Sequence, residues 1–286
     1  MPLDKHVSQQ IIKDIISRTG IEVTALDSRI FHELLPSVDR ATHKGMMGHC
    51  LVVAGSPGRY GAAILASKAA YRSGAGLVTA CIPSEALSAF LSVVPEAMTI
   101  TNFDDPGKFD AIGFGPGTGT EYENYKCLRN CIESLKPLVI DADGITLLSK
   151  HPDLIELLHE KIILTPHEGE FDRLTGRHVS RIERIVTQLE WAKRYKVTFI
   201  LKGSGTVVAT PIGIFLNTSG NPGMATGGSG DVLTGVIAGL LAQGITPAHS
   251  ALLGVYAHGD AGDRAAYERG ERSVIAGDLV EKLQLK

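Results

Sequence analysis

The chain has 286 residues, 44% of them hydrophobic, with 28 basic and 31 acidic residues and a formal net charge of -3. The length permits one large α/β domain or two small ones. The balanced charge excludes the strongly basic surface that is typical of proteins binding nucleic acid or an anionic membrane. We therefore expect a small-molecule site, with no nucleic-acid or membrane partner.

The cysteines and the apolar runs indicate the compartment. Cys50, Cys81, Cys127 and Cys131 match no zinc-binding spacing, and burial on a predicted helix explains the last two. The N-terminus has no apolar secretion segment, and the longest apolar run, near residues 232–242, is too short to span a bilayer. These features predict a soluble, cytoplasmic protein.

Residues 1–40 are predicted to form an N-terminal helical extension. Ser8 could cap a short amphipathic helix whose apolar side is formed by the four isoleucines between residues 11 and 16. A second short segment runs from Ser28 to Leu35. Neither segment carries residues with evident chemistry.

From Gly48 the pattern becomes a strand over residues 50–54, a glycine turn over 55–61 and an alanine-rich helix over 62–71. The turn is neither Gly-x-Gly-x-x-Gly nor a Walker loop, which argues against the common dinucleotide-binding and P-loop folds. Further strands are predicted over residues 77–82, 97–101, 109–114, 137–140, 161–164 and 197–201.

Most of these strands are followed by helices, and this alternation predicts an α/β fold with a mostly parallel sheet and helices on both faces. Residues 206–209 and 213–217 are predicted to form a late antiparallel hairpin. No linker or repeat interrupts the series, so we expect one domain.

Polar residues follow several of the predicted strands, at the edge where open α/β sheets bind ligands. Strand 137–140 ends in Asp141-Ala-Asp143. Two carboxylates suggest metal or sugar contacts, and capping of the next helix by Asp143 is the alternative.

Strand 161–164 runs into Thr165-Pro-His-Glu-Gly-Glu170. Thr165 and Glu168 are predicted to form a capping box, with proline at the first helical position. This interpretation gives His167 and Glu170 no structural role, so both are candidate site residues. The alternative for the histidine is an ordinary structural position.

Strand 197–201 is followed by Lys202-Gly-Ser-Gly-Thr206. A lysine followed by a flexible turn can supply a point charge and backbone amides to a phosphate. The alternative is a hairpin turn with an exposed lysine.

The most specific stretch, Asn221–Gly235, is a glycine-rich turn that leads into a helix. From Asp231 onward apolar residues recur at helical spacing, and small residues elsewhere predict burial on most sides. Gly227, Gly228 and Gly230 let a ligand approach the unpaired first-turn amides, which bind anions. A carboxylate beside an anion handles a proton or a metal; the alternative is that Asp231 only caps the helix.

Together these strings resemble the ADP/ATP-dependent NAD(P)H-hydrate dehydratases, a branch of the ribokinase-like superfamily, over roughly residues 40–285. The shared strings are His43-Lys-Gly45, Val53-Ala-Gly-Ser56, Gly61-Ala-Ala63, Ser73-Gly-Ala-Gly-Leu77, Gly115-Pro-Gly117, Asp141-Ala-Asp143, Thr165-Pro-His-Glu-Gly-Glu170, Lys202-Gly203 with Thr206, and Asn221 through Gly235.

The resemblance implies a ribokinase-like three-layer fold, with residues 41–286 as the dehydratase domain. It implies a hydro-lyase of nicotinamide-nucleotide repair, which returns (S)-NAD(P)H hydrate to NAD(P)H while splitting ADP to AMP and phosphate, or using ATP, with Mg²⁺. It also implies a homo-oligomer, a tetramer. Only about 40 residues precede the match, so the epimerase domain that many members carry is expected to lie elsewhere.

The resemblance assigns roles to residues by their place in the shared strings. The implied catalytic residues are Asp231 with the amides of Gly228, Ser229 and Gly230. The implied hydrate contacts are Ala62, Gly117, His167 and Asp231. The implied nucleotide contacts are Lys202, Gly203, Ser204, Gly205, Thr206 and Gly230. Glu170 takes the place of the magnesium-associated glutamate and is expected to act through water.

Two alternatives stay open at this point. A small-alcohol kinase of the same superfamily, such as a hydroxyethylthiazole kinase, would share the Gly-x-Gly-Asp chemistry and release a stable phosphoester. A nucleotide-sensing binding module would keep the fold without turnover, although it would have no need of a base at Asp231.

Overall fold

The computed structural model describes residues 5–103, 105–211 and 213–286. Ten strands form one sheet: β1 Val23–Leu26, β2 His49–Val53, β3 Leu77–Cys81, β4 Met98–Ile100, β5 Ala111–Phe114, β6 Leu138–Ile140, β7 Ile162–Leu164, β8 Thr198–Leu201, β9 Val207–Thr210 and β10 Gly213–Asn217. The α-helices are α1 Lys5–Thr19, α2 Ser28–Leu34, α3 Tyr60–Arg72, α4 Leu87–Val93, α5 Tyr122–Glu133, α6 Asp143–Lys150, α7 Pro152–Ile155, α8 Glu168–Thr175, α9 Arg181–Tyr195, α10 Ser229–Ala242, α11 Pro247–Arg269 and α12 Ala276–Lys282.

The strands lie in the order β1-β10-β9-β8-β7-β6-β5-β2-β3-β4. β9 is antiparallel to both β8 and β10, and the other neighbouring pairs are parallel. The expected mostly parallel sheet and the late hairpin are confirmed. The antiparallel pairing of β8 with β9 agrees with the hairpin turn that was the alternative for residues 202–206.

Both faces of the sheet are covered, as the apolar strands require. In β2, Leu51 and Val53 belong to one core cluster, and Cys50 and Val52 belong to the other. Helices including α5, α8 and α9 cover the first face, whereas α3, α10 and α11 cover the second. The fold therefore has the three layers that were expected.

Helices α3 and α10 pack with almost no space between their backbones. A Cβ atom built on Gly235 would lie 2.1 Å from the carbonyl oxygen of Ala66, and one on Gly239 would lie 2.6 Å from that of Ala70. The contacts advance in the same direction along both helices, so their N-termini reach the same edge of the sheet. All residues of α10 from Val232 to Ala242 are buried, which confirms the prediction for this helix.

The N-terminal segment is not only helical. The described part of α1 begins at Lys5, so Ser8 lies inside the helix and not at its cap. β1, which was not predicted, pairs in parallel with β10 at the edge of the sheet. Its four residues are buried only at Val23 and Leu26, which leaves no alternation to recognise in the sequence. The domain division at residue 40 stays a prediction.

Within the described part of the chain, every helix is too short or too polar to cross a bilayer.

Candidate active site

The N-terminus of α10 lies at the carboxyl edge of the sheet. Its N-cap is Gly228, whose φ of 89° is left-handed, and the helix begins at Ser229, two residues before the predicted start. This backbone conformation favours glycine, and a Cβ atom on Gly228 would also lie 2.5 Å from Leu65 Cδ1 on α3, so that the leucine side chain would have to shift. The turn therefore presents the first amides of α10 without a covering side chain.

Asp231 is the third residue of α10 and does not occupy the N-cap position. The pKa of its carboxyl group is raised to about 6, mainly by burial and also by the carboxylates of Asp141 and Asp143, while the Lys202 ammonium acts to lower it. A carboxylate with this pKa is ionised at neutral pH and can still accept a proton with useful driving force. This is the behaviour of a general base.

Asp141 and Lys202 form a buried ion pair beside α10. Lys202 Nζ donates to Asp141 Oδ1 at 2.5 Å, and Thr234 Oγ1 donates to Oδ2 at 2.9 Å. Asp141 is 1% exposed, so its charge is stable only because both oxygens are satisfied. A Cβ atom on Gly230 would lie 3.3 Å from Lys202 Nζ, so the ammonium lies beside the helix N-terminus. The two positive features lie at one point, where the sequence predicts an anion site.

The Lys202–Thr206 turn joins β8 to β9. Gly205 has a φ of 67°, and Thr206 Oγ1 donates to the Gly203 carbonyl at 3.2 Å. Arg181 at the start of α9 donates to the Gly205 carbonyl. The segment is thus a hairpin turn, but its lysine is held inside the site, so the exposed-lysine alternative is wrong. Nothing in the sequence marked Arg181.

The capping box at the start of α8 differs from the prediction. The N-cap is His167, whose Nδ1 accepts the amides of Gly169 at 3.0 Å and Glu170 at 3.3 Å. Glu170 Oε2 accepts the His167 amide at 2.9 Å and completes the box. The predicted box between Thr165 and Glu168 is wrong, since the chain stays extended for longer: the Lys202 amide donates to the Pro166 carbonyl at 2.9 Å.

His167 and Glu170 therefore do have a structural role. Because Nδ1 of His167 accepts two amides, a neutral ring carries its proton on Nε2, which lies 3.4 Å from Glu170 Oε1. The His167 side chain is 55% exposed, so Nε2 can reach a ligand at the edge of the sheet. The two roles are compatible because they use opposite nitrogens.

The Glu170 carboxylate can contact Mg²⁺, but it does not form a complete magnesium site by itself. Its carboxylate is 9% exposed and already accepts the His167 amide. Among the described residues, no three His, Cys, Asp or Glu side chains are placed to hold a metal. A single carboxylate fits an Mg²⁺ ion that is bound mainly through phosphate oxygens and water, which is the usual mode at nucleotide sites.

Ala62 and Gly117 lie together on the other side of the site. A Cβ atom on Gly117 would lie 3.4 Å from Ala62 Cβ and 3.1 Å from Arg59 Cβ. Arg59 Nη1 pairs with Asp143 Oδ2 at 2.9 Å, and the same oxygen accepts the Gly119 amide at 2.8 Å. Asp143 thus fixes the Arg59 loop and does not cap α6.

The structure brings the predicted residues beside α3 and those at the start of α10 to one place. Asp143 acts electrostatically on Asp231, so the Ala62 side and the α10 side share one electrostatic environment. Arg59 and Thr234 were missed as site residues. Arg59 lies inside the glycine turn that had been singled out, whereas Thr234 follows Asp231 by three residues on the same helix.

His258 on α11 was also missed. Its Nε2 lies 2.9 Å from the Ser229 carbonyl oxygen and 3.3 Å from Ser229 Oγ. Burial lowers the pKa of the imidazole to about 4, so the ring is neutral. The contact holds the first residue of α10 in place.

Known proteins are similar to this chain in sequence and in fold. The model of the NAD(P)H-hydrate dehydratase family matches residues 50–285. A bifunctional NAD(P)H-hydrate repair enzyme from Moorella thermoacetica is 38% identical over 269 residues, which cover 87% of this chain and 51% of that protein. An ADP-dependent (S)-NAD(P)H-hydrate dehydratase from Bacillus subtilis is 33% identical over 262 residues, which cover 87% of this chain and 92% of that protein. The chain spans about half the length of the bifunctional relatives it matches.

Solved structures agree with the sequence matches. A ribokinase-like superfamily protein from Enterococcus faecalis has a TM-score of 0.81 at 29% identity, covering 91% of this chain and 94% of that one. An ADP/ATP-dependent NAD(P)H-hydrate dehydratase from Bacillus subtilis, co-crystallised with ATP/Mg²⁺, has a TM-score of 0.79 at 30% identity, covering 91% and 96%. The ribokinase-like fold is confirmed.

A hydroxyethylthiazole kinase from Pyrococcus horikoshii shares the fold alone, with a TM-score of 0.59 at 14% identity over 89% of this chain and 91% of that one.

Since the family model covers most of the sequence, including every strand from β3 onward and all of α10, this chain belongs to the NAD(P)H-hydrate dehydratase family.

Proposed function

We propose that this chain is a hydro-lyase that converts (S)-NAD(P)H hydrate to NAD(P)H, with ADP or ATP as co-substrate. The observation that carries the proposal is the half-buried carboxylate of Asp231, placed in the first turn of α10 beside the Lys202 ammonium. A base next to an anion site is what phosphorylation of a hydroxyl group requires. The names of the similar proteins support the same reaction.

The two substrates approach from opposite sides of Asp231. The nucleotide phosphates contact the Lys202–Thr206 turn and Gly230, where the ammonium and the helix amides converge. The hydrate lies against Ala62, Gly117 and His167. Mg²⁺ would be held by the phosphates and, through water, by Glu170, where it supplies charge neutralisation.

The first step is phosphoryl transfer to the ring hydroxyl. Asp231 accepts the hydroxyl proton, the hydroxyl oxygen bonds to the terminal phosphorus, and the bond from that phosphorus to the nucleotide oxygen breaks. The amides of Gly228, Ser229 and Gly230 stabilise the charge on the transferred group. Positioning and electrostatics suffice for this chemistry.

The second step expels the phosphate. The ring nitrogen lone pair forms a C=N bond as the neighbouring carbon–oxygen bond breaks, and the released phosphate then accepts a proton from the adjacent ring carbon, which restores the reduced nicotinamide. Phosphate is a far better leaving group than water, so a kinase-like site can serve a lyase. With ADP, the products are AMP, phosphate and NAD(P)H.

The direct test incubates the purified chain with NADH hydrate, Mg²⁺ and either ADP or ATP, and follows the return of reduced nicotinamide absorbance. We expect the absorbance to return only when a nucleotide is present. No return with either nucleotide would contradict the proposal. The assay also decides between ADP and ATP, and a parallel run with NADPH hydrate decides between the two hydrates.

The proposal includes a cytoplasmic location and a homo-oligomeric assembly, a tetramer by family resemblance. Light scattering coupled to gel filtration checks the assembly.

Gly230→Ala is expected to weaken ADP binding about tenfold or more, with little effect on folding. The added methyl group would lie 3.3 Å from Lys202 Nζ and 3.5 Å from Asp141 Oδ2, in the space that the phosphate needs. Calorimetric titration measures the change. Gly277→Ala in α12 is the matched control, because its nearest neighbour is a flexible side chain at 4.0 Å. Equal nucleotide affinity in the two variants would mean that the phosphate does not bind beside Gly230.

His167→Ala and His167→Asn separate the two roles of this side chain. The alanine variant loses the cap of α8 and is expected to lose about 1 kcal/mol of stability. An asparagine side chain can accept the same amides, so it keeps the cap while losing the reach of Nε2. We expect both variants to raise KM for the hydrate more than Kd for ADP. A normal KM in the asparagine variant would make His167 only a capping residue.

A further inference from the structure

Arg181 lies beside the turn that is proposed to hold the nucleotide, and no step of the proposed reaction uses it. It is the first residue of α9, and its guanidinium donates to the Gly205 carbonyl of the Lys202–Thr206 turn. The helix gives no reason for a cation here, because the helix dipole favours negative charge at an N-terminus. Burial lowers the pKa of this guanidinium, while the Glu168 carboxylate acts to raise it.

The charge of Arg181 is not matched by an ion pair. Among the residues that the structure describes, no Asp or Glu oxygen lies within 4.0 Å of its guanidinium. Glu168, which acts on it electrostatically, has Oε2 paired with Arg184 Nη1 at 3.3 Å. A guanidinium has five N–H donors, so the bond to Gly205 leaves donors over. A partly buried arginine with spare donors and no paired carboxylate is suited to bind an anion.

Lys202 alone gives the nucleotide turn no net positive charge. Its ammonium is paired with the buried Asp141 carboxylate at 2.5 Å, so the two formal charges cancel. Asp231 adds a negative charge whenever it is ionised. The phosphates of a nucleotide are anionic and need a cation that is not already compensated. Arg181 contacts the turn and meets this requirement.

Arg181 and Asp231 approach the site from opposite faces of the sheet. Helix α9 packs on the first face through residues such as Ile185, whereas α10 packs on the second through residues such as Leu233. The transferred phosphate has to lie near Asp231 if this carboxylate is the base. The next phosphate along the nucleotide then lies on the side of the turn that faces α9.

We infer that the Arg181 guanidinium binds the phosphate group that leaves with the nucleotide, an inference that rests on the proposed function. When the bond from the transferred phosphorus to the bridging oxygen breaks, the electron pair stays on that oxygen. Arg181 donates to the leaving phosphate and stabilises the charge that develops there. With ADP, this group is the phosphate of AMP. Arg181 therefore contributes both to nucleotide affinity and to the rate of transfer.

Calorimetric titration with ADP and with AMP tests the contact in Arg181→Met. We expect both nucleotides to bind about tenfold more weakly, because the contacted phosphate remains in AMP. Arg177→Met is the matched control, since it removes the same charge from an exposed position in the loop before α9. Arg181→Lys keeps the charge and is expected to bind both nucleotides within about threefold of the unmodified protein. Arg181→Gln is a second neutral variant, for which the results of Arg181→Met are expected.

Salt dependence separates phosphate binding from a role in holding the turn. Attraction between charges is screened by salt, so the AMP affinity of the unmodified protein should fall more steeply with added KCl than that of Arg181→Met. Loss of the Gly205 hydrogen bond alone would lower the affinity without changing this slope. At saturating ADP and hydrate, kcat should also fall about tenfold or more in Arg181→Met.

Equal AMP affinity and equal salt dependence in the neutral Arg181 variants and in Arg177→Met would overturn the inference, while ADP-dependent turnover would leave the proposed function intact. Weaker binding of ADP with unchanged binding of AMP would also overturn it, because the contact would then be with the transferred phosphate. Failure of the unmodified protein to bind ADP would overturn the proposed function and this inference with it.

Discussion

Asp231→Asn is expected to lower turnover about a hundredfold or more while the protein folds and still binds nucleotide. The substitution keeps the shape of the side chain but removes the proton acceptor. Steady-state kinetics with saturating ADP and hydrate measure the loss. Asp260→Asn is the matched control, since burial also raises the pKa of Asp260, on α11, outside the site. Near-normal turnover in the Asp231 variant would end its assignment as the base.

The pH dependence follows from the same group. With the pKa of Asp231 at about 6, kcat/KM is expected to fall as pH drops through 6, about tenfold for each further unit, because protonation removes the base.

The folded protein favours the protonated carboxyl of Asp231, since its folded-state pKa lies above the ordinary value of 3.8. The stabilisation from this group is therefore present below pH 3.8 and lost as pH rises through about 6. Asp231→Asn should thus raise the free energy of unfolding more at pH 8 than at pH 4, by up to about 3 kcal/mol. Urea unfolding at the two pH values checks the sign.

Lys202→Met is expected to have the second largest effect, on both stability and nucleotide affinity. Removing the ammonium leaves the Asp141 carboxylate buried with only the Thr234 hydroxyl, and breaking such a pair costs about 3 kcal/mol or more. ADP binding should weaken at least about tenfold, because the charge beside the helix N-terminus is gone. Urea unfolding and calorimetric titration measure the two losses separately.

The double variant Asp141→Asn with Lys202→Met separates the two effects. Neutralising Asp141 removes the uncompensated charge, so much of the lost stability should return. ADP affinity should stay low, since the phosphate still lacks its cation. Recovery of nucleotide affinity in the double variant would mean that Lys202 acts only as the partner of Asp141.

The sequence predicts the sheet well because its strands are continuous apolar runs, each bounded by polar or glycine residues. The order of motifs along the chain then places Asp141, His167 and Lys202 at one edge, as parallel strands require. β1 was not predicted, because four residues at the edge of a sheet carry too little periodicity. The helix around Asp231 is evident from the spacing of its apolar residues.

Local rules fail where a distant contact decides the outcome. Thr165 and Glu168 have the right spacing for a capping box, but pairing of residues 166–167 with Lys202 keeps the chain extended and moves the box to His167. The Asp141–Lys202 pair joins residues 61 positions apart, and only the strand order makes them neighbours.

The most direct test of the account is the identity of the products formed from NADH hydrate and ADP in the presence of Mg²⁺, determined by mass spectrometry and a phosphate assay. The half-buried base and the proposed anion site at α10 predict phosphorylation of the hydrate hydroxyl, and the ring nitrogen then predicts loss of phosphate. We expect AMP, inorganic phosphate and NADH in equal amounts. A stable phosphorylated alcohol that accumulates without NADH would contradict the dehydratase and favour a small-alcohol kinase.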